Sequence, residues 1–117
     1  MSTNSKHASA ILGSPFPGST SEKIVKLVFD EIRQIGWATK TIDLSQLNAS
    51  ALLIRHKDED VESALESVLN SNLIITASPT YRATYTGLLK VFLDQLPQGS
   101  LSGKLVLPIQ TGGSPEH

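Results

Sequence analysis

Apolar positions along this chain alternate between two kinds of pattern. Short apolar runs at Ala8–Leu12, Leu73–Ala77 and Leu105–Ile109 read as buried strands, and Trp37 to Ile42 alternates polar with apolar as an outer strand would. Between them lie stripes at helical spacing. From Thr20 to about Ile35, Ile24, Val28, Ile32 and Ile35 recur every three or four residues, with Leu27 widening the face. One of Ser19, Thr20 and Ser21 caps that helix, Glu22 suits its positive end, and Gly36 stands where it should stop. A second helix carries Val61, Leu65, Val68 and Leu69 and is entered through Asp58, Glu59 and Asp60. A third carries Tyr85, Leu88, Leu89, Phe92 and Leu96 and stops at Pro97. Asp43 to Lys57 is the least regular stretch.

The resulting order is β-α-β-α-β-α-β, from which a parallel sheet with right-handed crossovers follows. The expected fold class is α/β, broken off after its fourth strand. Residues 1–6 are expected to be a disordered tail, and 7–117 a single domain. The alternation breaks off on Gly112-Gly113-Ser114-Pro115-Glu116-His117, where another helix should begin, so one sheet edge is expected to be bare.

The chain has 117 residues, 39% hydrophobic and 18% charged, with a formal net charge of -1, enough for one domain. That charge supplies no basic stripe for nucleic acid. Absence of cysteine excludes disulfides, thiolate metal sites and cysteine nucleophiles, and it fits the cytoplasm. No apolar run approaches the roughly 18 residues of a membrane span, and no secretory leader is seen. His7, His56 and His117 lack metal-ligand spacing.

Chemistry concentrates where strands end. Gly13-Ser14-Pro15 follows the first strand, with Ser19, Thr20 and Ser21 opening the helix beyond it; backbone N–H groups and hydroxyls there suit a phosphate monoester. The loop lacks the Gly-x4-Gly-Lys-Ser/Thr pattern of a triphosphate site. The competing reading leaves these serines as helix caps. After the third strand, Pro79 fixes the backbone direction, and Thr80, Tyr81 and Arg82 come next, where a planar ring would pack. Tyr81 as a packing aromatic and Arg82 as a solvated charge are the alternatives. Thr111, Gly112 and Gly113 close the fourth strand and permit close backbone approach. Three such loops at one rim of a parallel sheet make a site for a flat, phosphorylated cofactor, and FMN fits that description. Lys90 and Asp94, four apart on a helix, read as a surface ion pair.

These residues resemble the NADPH-dependent FMN reductase family of flavodoxin-like proteins, which implies a flavodoxin-like three-layer sandwich of strand order 2-1-3-4, truncated after its fourth strand, with 7–117 as one flavodoxin-like FMN-binding domain. The likeness runs from about Ala10 to Gly113. It rests on Gly13-Ser14-Pro15 with Ser19 and Ser21, on Pro79-Thr80-Tyr81-Arg82-Ala83-Thr84-Tyr85-Thr86-Gly87-Leu88-Leu89-Lys90, and on Leu107-Pro108 with Thr111-Gly112-Gly113. Within the family the chain is similar to the branch that serves bacterial alkanesulfonate monooxygenase. The resemblance implies that Ser14, Ser19 and Ser21 hold the FMN phosphate, that Pro79, Thr80, Tyr81 and Arg82 line the isoalloxazine, and that Thr111, Gly112 and Gly113 face its far side. It implies hydride transfer from NADPH, or NADH, to flavin N5, with no catalytic acid or base from the protein. It further implies a homo-oligomer, dimer or tetramer, that hands reduced FMN to a flavin-dependent monooxygenase, often for sulfonate desulfonation. Two departures stand out. Phe16 and Thr20 occupy first-loop positions where family members often carry arginine, which bears on the choice between NADPH and NADH. The family also continues beyond this point, so weak or absent turnover is expected of a chain ending at His117.

Other functions stay open on the residues alone: a quinone or azo reductase that retains its flavin, a non-enzymatic FMN electron carrier, or a chain that binds nothing. The low overall acidity argues against the carrier.

Overall fold

Four parallel strands pair in the order β2-β1-β3-β4 in the computed structural model, which describes residues 6–13, 20–47, 50–51, 57–79 and 83–111. The strands are β1 (His7–Leu12), β2 (Ala38–Asp43), β3 (Leu73–Pro79) and β4 (Leu105–Thr111). The helices are α1 (Thr20–Gln34), α2 (Glu59–Leu69) and α3 (Ala83–Asp94), and a 3-10 turn spans Leu44–Gln46. Element order and strand order are those the sequence predicts. The third helix ends at Asp94, before the expected stop at Pro97, and Gln95 and Leu96 close it with bonds to Phe92 and Leu93.

Alternation along the strands feeds two cores. On one face Ala8, Ala10 and Leu12 of β1 and Leu73, Ile75 and Ala77 of β3 pack with Val25 and Phe29 of α1. On the other, Ile11, Ile42 and Ile74 meet Val61, Ala64 and Val68 of α2 and Phe92 of α3. Three layers result, with α1 alone on the first face.

The centre of the α1 stripe is displaced from the expected one. Val25 and Phe29 are buried, Ile24, Val28 and Ile32 half-buried, but Leu27 and Ile35 are 67% and 73% exposed. At 100° per residue Leu27 lies nearly opposite Val25, so it cannot share the buried arc. Ile35 lies beyond the last helical residue, in the C-terminal turn. There Gly36, at φ +97, donates to the carbonyl of Arg33 at 3.1 Å, and Trp37 donates to that of Ile32 at 3.1 Å. Such a left-handed ending needs glycine, and it brings Trp37 and Ile32 into the same apolar cluster.

α2 is capped at both ends by side chains. Asp58 accepts from the backbone N–H groups of Asp60 at 2.9 Å and Val61 at 3.0 Å. At its other end the carbonyl of Glu66 is met by the N–H of Asn70, and that of Val68 by the N–H of Ser71. The carbonyl of Ser67 accepts from Ser71 Oγ at 2.7 Å and Ser9 Oγ at 3.2 Å. Leu69's carbonyl accepts from Lys104 Nζ at 2.8 Å, so each of these terminal carbonyls finds a donor.

β4 is the edge strand opposite β2. Leu105, Val106 and Leu107 are 68%, 41% and 43% exposed. The N–H of Leu105 points to Asn72 on the β3 side. Strand alternation therefore turns Leu107 and Ile109 toward β3, and Val106, Pro108 and Gln110 toward the open edge. Pro108, lacking an N–H, costs the β3–β4 ladder nothing.

Candidate functional site

In a parallel sheet all C-terminal strand ends share one rim, and register fixes how they align. Leu12 lies opposite both Asp43 of β2 and Ala77 of β3. Gly13 extends the seam by donating its N–H to the carbonyl of Ala77 at 2.8 Å. β3 and β4 run on together to Pro79, which pairs with Thr111. At about 4.8 Å between neighbouring strands, the ends of β1, β3 and β4 span about 10 Å of rim.

The chain leaves β1 in one direction to form β2 and returns on β1's other side as β3. Between β1 and β3 the order reverses, and the carboxyl ends of the strands at such a switch point are where open α/β sheets place their ligand crevice. The sequence-predicted site residues distribute around it. Thr20 and Ser21 open α1, Pro79 ends β3 and Thr111 ends β4, all on this rim's side of the sheet. Ser14, Ser19, Thr80, Tyr81, Arg82, Gly112 and Gly113 lie outside the described residues. The described backbone thus brings together the flanks of all three loops.

α1 begins on this rim and runs for 15 residues, long enough to present a developed positive end. A phosphate monoester suits that end, and a flat ring suits the width of three strand ends, so the backbone fits FMN. A second hollow, lined by His7, Ser9, Lys40 and Ser71, lies at the other end of β1. It sits at the amino ends of the strands, away from the order reversal, and is no candidate for this ligand. Lys90 and Asp94 form the expected ion pair at 3.1 Å, with both side chains largely in solvent. A pair so exposed is structural at most.

Sequence reading missed the far end of the sheet. Ser9 sits inside an apolar run, and Ser71 and Asn72 read only as a strand boundary. Asn72 in fact joins three elements: it exchanges backbone and side-chain bonds with His7 and accepts from Leu105. A buried-strand pattern interrupted by one serine was the available signal.

An open, doubly wound sheet of order 2-1-3-4, with its crevice between the first and third strands, is the flavodoxin-like class of α/β protein. Residues 7–117 match the family described as NADPH-dependent FMN reductase, and the chain belongs to that family. It is 31% identical over 108 residues to the FMN reductase (NADPH) of Escherichia coli strain K12, covering 92% of this chain and 56% of that protein. It is 33% identical over 75 residues to the NADH-dependent FMN reductase SfnF of Pseudomonas fluorescens strain Pf0-1, covering 64% of this chain and 40% of that one. Among solved structures, an NADH:FMN oxidoreductase (EMOB) in its apo form superposes with a TM-score of 0.85 at 37% identity, covering 95% of this chain and 60% of that one. The matched stretch therefore covers between 40% and 60% of the length of these relatives.

Proposed function

We propose that this chain forms the FMN-binding part of an NAD(P)H-dependent FMN reductase, and that the crevice between β1 and β3 is its flavin site. One observation carries the reading: the ends of β1, β3 and β4 align on a single rim, at the point where strand order reverses. The family match over residues 7–117 supports it.

In this reading the first turn of α1, with Ser14, Ser19, Thr20 and Ser21, receives the phosphate through N–H and hydroxyl donors. Pro79, Thr80, Tyr81 and Arg82 lie along the ring, and Thr111, Gly112 and Gly113 face it from β4. FMN held by these residues would supply the redox chemistry of the site, as acceptor of a hydride from NADPH or NADH. The protein's own work is to orient the ring, leave one face open to nicotinamide, and keep water from that face. Neither Lys90 nor Asp94 takes part. Relatives named for NADPH and for NADH both match, so the nucleotide preference belongs to the test. We assign the downstream step, delivery of reduced FMN to a flavin-dependent monooxygenase of sulfonate metabolism, to the same proposal, along with self-association and a cytoplasmic setting.

Titrating the purified chain with FMN and following flavin fluorescence tests the site. Saturable quenching at one equivalent is expected, and no quenching at millimolar FMN would refute it. Oxidation of NADPH and NADH by the FMN-loaded chain then tests turnover, and loss of FMN on reduction separates a flavin-releasing reductase from one that retains its flavin.

A further inference from the structure

β4 carries the third loop of the proposed flavin site, yet its own sequence fixes its register only in part. Pro108, which has no N–H to give β3, and the half-buried Ile109 oppose a slip by one residue, whereas the exposed Leu105, Val106 and Leu107 add little to the choice between the observed pairing and a slip by two. Among the described residues β4 has a strand neighbour on one side only, and its residues Leu105 and Leu107 stay exposed while Ile109 packs on the α1-side cluster.

At the far end of this strand stands a specific restraint. Gly103, at φ +82, turns the chain just before Lys104, whose N–H is held by the carbonyl of Leu101 at 3.1 Å. The half-buried Lys104 ammonium then donates to the carbonyls of Leu69 at 2.8 Å and Ser71 at 2.7 Å, at the C-terminus of α2. A cation there meets the negative end of the helix as well as two oxygens. The next residue, Leu105, donates to Asn72 at 3.2 Å, and Asn72 is itself bonded to His7 of β1. Displacing β4 along β3 would draw the ammonium away from both carbonyls.

We propose that Lys104 is a positioning residue for the flavin site: by pinning the start of β4 to the end of α2, it sets the β3–β4 register and so places Thr111, where the third loop begins, opposite Pro79. The proposal rests on the FMN reading above. Lys104 itself touches no part of the rim, being at the opposite end of the strand.

The test compares the chain with Lys104→Met and Lys104→Arg, using FMN titration and amide hydrogen exchange. Lys104→Met is expected to weaken FMN on the order of tenfold, since sites tolerate little displacement of their walls. Exchange should quicken at Leu107 and Ile109 while Ala10 and Ile75 keep their protection. Lys104→Arg, which keeps the charge and the donors, should restore most of both. Unchanged FMN affinity in Lys104→Met, quickening shared equally by all strands, or an Arg variant no better than Met would each overturn the proposal. Should the unaltered chain bind no FMN, the flavin reading falls by that result, and exchange alone decides whether Lys104 holds the register of β4.

Discussion

The hydroxyl oxygens of Ser9 and Ser71 lie 2.6 Å apart, buried between β1 and the end of α2, and both reach the carbonyl of Ser67. That carbonyl has lost its helical donor, because the N–H of Ser71 turns to Val68 instead. Either hydroxyl can serve it when the other is removed. Ser9→Ala and Ser71→Ala should therefore each cost about 1 kcal/mol, a typical net hydrogen bond. The double variant should cost more than the sum, by about 1 kcal/mol, because it alone leaves a buried carbonyl without a donor. Urea unfolding of the four proteins gives the coupling directly, and strict additivity would show that the hydroxyls do not substitute for each other.

The cap at the start of α2 makes a simpler case. Asp58 satisfies two N–H groups that the helix cannot, and it faces the positive end of the dipole. Asp58→Ala should lower stability by about 1 kcal/mol, and Asp58→Asn by less, since the amide oxygen still accepts. Equal losses in thermal or urea melts would mean that charge rather than hydrogen bonding dominates.

Pro108 gives a prediction about association. Its missing donor faces the open edge of β4, so Pro108→Ala leaves the β3–β4 ladder intact and adds an outward N–H between those of Val106 and Gln110. Stability should change by about 0.5 kcal/mol or less, as for a surface substitution. Self-association should rise, because an apolar edge with a continuous row of donors invites pairing. Sedimentation over a concentration series checks this; a variant that is markedly more stable but associates no more would place the proline's N position on the β3 side.

Much of this architecture was legible in the chain because local signals agreed. Short apolar runs such as Leu73–Ala77, bounded by turn residues and rich in branched side chains, read as strands, while strand order came with the family resemblance. The rim was legible for the same reason, since parallel strands put their ends together whatever the loops do. What escaped was of two kinds. Leu27 looked like part of a buried stripe because hydrophobicity was counted and angle was not, while Val25 and Phe29 at the true centre were passed over. The roles of Ser9, Ser71 and Lys104 were invisible because they depend on contacts between residues 33 to 62 positions apart, and no local pattern encodes such contacts.

The flavin site makes the sharpest demand, because its phosphate and ring halves can be separated. Ser14→Ala combined with Ser21→Ala removes two hydroxyl donors to a charged group, each worth about 1.5 to 3 kcal/mol when its partner is ionised. FMN affinity should fall by about 100-fold, at about 1.4 kcal/mol per tenfold. Riboflavin, which has no phosphate, should bind the double variant as it binds the unaltered chain. Tyr81→Ala should do the opposite: loss of an aromatic wall weakens both ligands alike, by about tenfold, in line with stacking of about 1 to 3 kcal/mol. Isothermal titration with the two flavins reads all of this in one set of measurements. If the serine variant weakens riboflavin as much as FMN, the phosphate is held elsewhere. If Tyr81→Ala leaves both unchanged, the loop after β3 does not line the ring, and the rim loses its flat half.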